Sequence, residues 1–243
     1  MYTPFSRGLA WYRYKRLEDE FLKATEYFPF QEKFEEMWSE FFGDLLTKIG
    51  NSIDSFFRNM LNDARFDSYP HVSELKGGKR ERNINYFRDF FEPLYRLSGV
   101  QVKTAYGLTS YGEIHPFEDF INDEQNKIPK WWSAYNHVKH TWFECLEEAT
   151  LKYTINALAG LFVLNVLHKE SQEYLVRYQD VIVWDFMEST NTKVILDTLE
   201  KSMIGIPKSW RNYHFLARTP LFTHAFRLDD KVSTEDVHER YPT

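Results

Sequence analysis

The sequence predicts an all-α protein, a multi-helix bundle built around two long central helices. Three observations carry that expectation. Helix breakers are scarce, with 10 Gly and 9 Pro among 243 residues, whereas an all-β sandwich needs a turn every ~8–12 residues. Apolar side chains recur at steps of three and four through residues 29–66. The run at residues 155–167 is apolar on every helical face, as a helix in the middle of a bundle must be. A hydrophobic content of 43% excludes a disordered chain, and a single cysteine, Cys145, excludes a disulfide scaffold.

Residues 9–28 read as the first helix, charged in the middle at Lys15-Arg16-Leu17-Glu18-Asp19-Glu20. The long helix 29–66 follows, about nine turns, its stripe running from Phe34, Met37 and Trp38 to Phe57, Met60 and Leu61. Gly43 and Gly50 within it mark a bend or a close helix contact, and Asn51-Ser52 is a candidate break. A loop at 69–79 holds Pro70, Gly77 and Gly78. Helix 82–97 turns Ile84, Phe87, Phe90, Phe91, Leu94 and Tyr95 inward, with Pro93 bending it or splitting off its last turn. Residues 99–107 show the alternation of a short strand or extended arm. Residues 111–130 are polar and irregular, with a helical turn after Pro116.

The second long helix is expected over residues 131–168, with Pro129 just ahead of its entry. A further helix is expected over 173–188, through Val181-Ile182-Val183-Trp184. Residues 192–203 are compatible with helix. Gly205, Pro207 and Pro220 then punctuate short aromatic runs, and 235–243 reads as a frayed tail. The chain divides into a bundle domain, 1–190, and a C-terminal appendage, 191–243, packed on it.

A net charge of −6 leaves no global footprint for nucleic acid or an anionic membrane. Locally, residues 201–228 contain no Asp or Glu, and residues 1–16 are likewise acid-free. The first residues carry no apolar signal core, and the apolar run 157–167 is shorter than the ~20 residues of a membrane span. The expectation is a cytoplasmic protein without a membrane partner.

Chemistry concentrates in Trp131-Trp132-Ser133-Ala134-Tyr135-Asn136-His137-Val138-Lys139-His140. Asn136 and His140, four apart, share a helix face. A histidine beside a cation and an amide is equipped for proton transfer on a phosphodiester. The plainer reading is the wet end of a core helix. His137, His140, Glu144 and Glu148 also align donor types on one stripe, but a lone stripe is more often a solvated face, and no metal is expected. In the acid-free C-terminal segment, Lys208, Trp210, Arg211, Tyr213, Arg218 and Arg227 interleave aromatic and basic groups, the combination that single-stranded nucleic acid requires; the alternative is an aromatic strap over the bundle. Cys145 reads as a packed small hydrophobe. Gly77-Gly78-Lys79 lacks the rest of a phosphate loop, and no cofactor is expected.

The string Trp131-Trp132-x-Ala134-Tyr135-Asn136-x-Val138-Lys139-His140, with Glu147-Glu148-Ala149-Thr150-Leu151 and the apolar run after Ala157, resembles the HEPN superfamily across residues 30–169. The resemblance implies a helical bundle that often dimerises. Its members are metal-independent endoribonucleases or non-catalytic modules that bind RNA or a protein partner, so RNA, a protein partner and a homodimer are the implied associations. His140 matches the family histidine and Asn136 its polar position. Tyr135 stands where the family has its arginine, the group that stabilises phosphate charge in the transition state. Lys139 supplies a point charge there, not a bidentate fork. Two functions therefore stand: an RNA- or protein-binding module of a prokaryotic defence or stress system, and an endoribonuclease with His140 as general acid/base, Asn136 orienting it and Lys139 or an arginine from elsewhere on the phosphate. The missing arginine favours the first.

Overall fold

The computed structural model describes residues 8–28, 30–61, 83–104, 113–121, 128–168, 181–184 and 214–227. In chain order its elements are α1 (Leu9–Ala24), α2 (Glu40–Met60), α3 (Ile84–Tyr95), β1 (Val102–Thr104), β2 (Glu113–Ile114), α4 (Lys130–His140), the one-turn α5 (Trp142–Cys145), α6 (Leu151–Leu167), β3 (Val181–Trp184), β4 (His214–Arg218) and β5 (Phe222–Arg227). The described residues are mainly helical, as the shortage of breakers predicts. None of the described helices is long and apolar enough to cross a membrane.

α6 occupies the centre because its sequence leaves it no polar face. Every residue from Ala157 to Leu167 is buried, and α1, α2, α4 and β5 pack around it. Its internal polar side chains are satisfied within the helix: Thr154 and Asn165 donate to the carbonyls of Thr150 and Leu161, each at 2.9 Å. α2 is amphipathic. Ser39 caps it by accepting from the Phe42 amide at 3.2 Å, and Phe42, Leu45, Leu46, Ile49, Ile53, Phe56, Phe57 and Met60 form its buried stripe. Burial of each such side chain contributes about 1.5–3 kcal/mol. Gly43 and Gly50 are close-contact positions. A Cβ on Gly50 would lie 2.3 Å from the Tyr135 ring, and one on Gly43 2.6 Å from Leu146 and 2.8 Å from Trp142.

Three expected helices differ from the observed ones. The stripe of 29–66 becomes α2 only from Glu40. Ahead of it the chain runs beside the start of α6, where Met37 and Glu35 carbonyls accept from the Leu151 and Lys152 amides at 2.8 and 3.0 Å. Those amides belong to the first turn of α6 and have no intrahelical acceptor, so a 3-10 turn (Glu32–Phe34) followed by non-helical chain there leaves carbonyls free for them, which a longer α2 would not. The expected helix 131–168 is broken into α4, α5 and α6. α4 closes at Thr141, whose backbone leaves the helical region (φ −135°, ψ 54°) while its amide and hydroxyl both donate to the His137 carbonyl at 2.8 Å, and Thr150 starts α6 by accepting from the Tyr153 amide. Between them Phe143 is 98% exposed, while Trp142 and Leu146 pack against α2 at Gly43.

The expected helix 173–188 is, at Val181–Trp184, a strand. Val-Ile-Val-Trp favours a pleated backbone, and so short an apolar run carries no usable period. It pairs antiparallel with β4 (Val181 opposite Ala217) in a sheet ordered β2-β1-β5-β4-β3. β1 falls within the expected extended segment 99–107 and pairs with β5, Lys103 opposite Thr223. The β4–β5 hairpin thus joins the sheet begun by β1 and β2, and Phe222 packs on Phe162 of α6 with ring centroids 5.6 Å apart. The loop 69–79, residues 192–203, the tail 235–243 and the boundary at 190–191 lie outside the described residues.

Candidate functional site

α4 has an apolar side and a wet side, and Tyr135 bridges them. Trp131, Trp132, Ala134, Tyr135 and Val138 are buried, and the Trp131 indole donates to the Pro116 carbonyl at 2.6 Å. The Tyr135 ring sits over Gly50 of α2, where only glycine leaves room. Its hydroxyl accepts from Lys139 Nζ at 3.0 Å and donates to Asn51 Oδ1 at 2.9 Å. Lys139, one turn further along α4, lies 5.2 Å from the same ring's centroid. Asp54 and Arg58 on α2 complete the neighbourhood, Arg58 Nε donating to Asp54 Oδ2 at 2.8 Å.

The electrostatics follow from that arrangement. Burial raises the Tyr135 pKa above its ordinary value, with the Lys139 hydrogen bond and charge opposing it, so the phenol remains a neutral donor. The hydrogen bond to Asp54 raises the Arg58 pKa. With Arg58 paired to Asp54, the cluster carries one net positive charge, Lys139, beside a neutral, oriented hydroxyl.

The sequence-derived residues separate here. Lys139 belongs to this cluster. Asn136 is half-buried, and His140 is exposed at the last position of α4. Tyr135, noted only as the residue in place of an arginine, is the organising group; Asn51, expected only as a candidate helix break, lies inside the continuous α2, and Asp54 and Arg58 were not singled out. The helix break at Thr141 interrupts the continuous stripe expected through His137, His140, Glu144 and Glu148, but one pair of it still meets: His137 Nδ1 lies 2.9 Å from Glu148 Oε2. Among the described residues no group of three or more His, Cys, Asp or Glu side chains converges. Cys145 is half-buried and accepts from the Thr141 hydroxyl at 3.1 Å. Lys208, Trp210, Arg211 and Tyr213 lie outside the described residues. Arg218 and Arg227 stand at opposite ends of the β4–β5 hairpin, since Arg227 pairs with His214 at the far end of β4.

Next to Asn51, a cleft of about 290 Å³ runs between α1 and α2, with Leu9, Ala10 and Arg13 from α1, Asn51, Ser52, Ser55, Phe56 and Asn59 from α2, and Leu161 from α6. A second polar constellation, buried between α1 and the β4–β5 turn, was missed in the sequence. Glu18 is fully buried. Its Oε1 accepts from the Tyr14 hydroxyl at 2.8 Å and from the Leu221 amide at 3.2 Å, and its Oε2 lies 3.5 Å from Lys15 Nζ. Tyr14 also meets Thr219 Oγ1 at 3.3 Å. Burial raises the Glu18 pKa, opposed by Thr219, Tyr14, Lys15 and the Leu221 amide. The signal was there: position 18 falls on the buried stripe Trp11, Tyr14, Glu18, Phe21.

No protein-family model, curated protein or solved structure matches this chain.

Proposed function

We propose that the protein is a HEPN-like helical module that binds single-stranded RNA without cleaving it. The observation that carries this reading is Tyr135. In the position of the family's arginine stands a phenol whose hydroxyl is committed to Asn51 and Lys139, and the Lys139 ammonium beside it retains donors for a phosphate. His140 has no hydrogen-bond or ion-pair partner among the described residues, which supports contact over proton transfer, because a general acid/base needs a group that orients it and a partner that carries the phosphate charge.

The test is fluorescence anisotropy of a labelled single-stranded RNA across a salt series. Single strands release counterions with a slope of about −0.7 per phosphate contact; a surface with Lys139, Arg58 and Arg13 predicts a slope of about −2. Salt-insensitive or undetectable binding would remove RNA. Incubating wild type and His140→Ala with a mixed RNA pool should leave the pool intact in both cases. Cleavage by the wild type alone would instead establish the endoribonuclease with His140 as acid/base.

A further inference from the structure

The cleft between α1 and α2 has an ordered polarity. The helices run antiparallel: Arg13 Nε meets Ser52 Oγ at 3.3 Å, and Glu20, two turns on, meets Lys48. Leu9 and Ala10 therefore lie toward Phe56 and Asn59. Asn51, Ser55 and Asn59 are four apart along α2 and form one ladder of about 12 Å.

What each rung offers follows from what it already does. Tyr135 accepts from Lys139, so its proton goes to Asn51 Oδ1, leaving the Asn51 amino group to donate into the cleft. Asn59 donates its amino group to the Ser55 carbonyl at 2.8 Å, leaving its Oδ1 as an acceptor. Arg13 has only its Nε engaged, so both terminal nitrogens remain as a fork. One end of the cleft thus holds donors and a positive charge. The other holds an acceptor beside an apolar wall.

We infer that this cleft seats one unstacked nucleotide of the bound strand, its phosphate on Arg13 and the Asn51 amino group, its base against Leu9 and Phe56 with a donor on its edge reaching Asn59. The inference rests on the RNA-binding reading above. A sugar phosphate lacks a body for the apolar wall, and a fatty acyl anion lacks a donor for Asn59; a nucleotide has all three parts in the right order. Asn51 touches both the cleft and the Tyr135 hydroxyl, so the neighbouring phosphate falls to Lys139. A base with an exocyclic amino group fits Asn59 better than uracil.

The experiment is calorimetric titration of the full chain with adenosine monophosphate, uridine monophosphate and inorganic phosphate, with single-stranded RNA in parallel. Saturable adenosine monophosphate binding is expected, weaker for the uridine nucleotide and for phosphate, and reduced about tenfold or more by Arg13→Gln and by Asn59→Ala. Both positions lie at the rim, and unchanged melting temperatures verify that the variants fold. No adenosine monophosphate binding up to about 10 mM, or equal binding in wild type and both variants, overturns the cleft. If RNA binds with its salt dependence while the mononucleotide does not, the cleft falls and the RNA reading survives. If the mononucleotide binds and is lost in the variants while RNA does not bind, the cleft stands as a mononucleotide site and the RNA reading falls.

Discussion

Two tyrosines organise the two polar networks of this molecule, and their surroundings give them opposite roles. Tyr14 is fully buried with Glu18 and Thr219 and ties α1 to the β4–β5 turn across some two hundred residues of sequence. Tyr135 is itself buried, but its hydroxyl is held by two exposed side chains, Asn51 and Lys139. Around Tyr14, the groups of α1 and of the turn are nearly all used on one another, and the surplus is an anion. Around Tyr135, donors remain unengaged, and the surplus is positive. A dry network whose groups saturate one another holds elements together; a wet one with donors left over recognises something else. The comparison can be broken at either end.

The largest effect is expected at Glu18. Glu18→Ala strands the Tyr14 hydroxyl and the Leu221 amide in the interior and should cost about 2–4 kcal/mol in urea unfolding. Glu18→Gln keeps an oxygen for both donors and removes the buried charge, so its cost should stay within about 1 kcal/mol. The two variants also define a pH signature. Burial raises the folded-state pKa of Glu18 above its ordinary value, so the native state holds this proton more tightly than the unfolded chain. The stability this contributes is complete below the ordinary glutamate pKa and is lost as pH rises through the folded value, with a slope of up to about 1.4 kcal/mol per pH unit. Glu18→Gln has no such slope. Parallel pH profiles for wild type and Glu18→Gln would mean that the carboxyl titrates as it does in the unfolded chain.

Gly50→Ala comes next. Its methyl group would fall 2.3 Å from the Tyr135 ring, so α4 must shift. Overpacking of this kind costs about 1–3 kcal/mol, against about 1 kcal/mol gained in helix propensity. The informative readout is RNA affinity, which should fall more than stability does, because the shift moves Tyr135 and Lys139 together. Equal affinity in the variant would separate the cluster from the bound strand.

How much of this was legible follows the same division. The stripe Phe42 to Met60 and the all-round apolar face of α6 were readable because burial imposes a helical period. The closure of α4 at Thr141 was harder, since a threonine carries no stop signal of its own: Thr154 makes the same pair of bonds to the preceding turn and α6 runs on through it. Val181 to Trp184 gave no period to read. At the site, Lys139 was found from its company on α4, whereas Asn51, Asp54 and Arg58 come from a helix eighty residues away, on its wet side, where polar residues carry no mark of use. Glu18 looked like one charge among five until its place on the stripe of α1 was counted.

The smallest expected effect is the sharpest test of the comparison. Tyr135→Phe removes one hydroxyl and leaves the ring over Gly50. Asn51 and Lys139 lie at the surface, so water replaces the lost partner and stability should change by about 1 kcal/mol or less. The equivalent change at Tyr14 has no water to replace it. It leaves Glu18 Oε1 with the Leu221 amide alone, at a cost of about 1–3 kcal/mol. RNA binding should respond in the reverse order: Tyr135→Phe frees Lys139 from its tether and should weaken binding several-fold, while Tyr14→Phe leaves it unchanged in a chain that still folds. An equal loss of stability for the two tyrosines, measured by urea unfolding, would mean that the Tyr135 network is as closed to water as the one beneath the hairpin, and the Tyr135 cluster would then lose its claim to be a binding site.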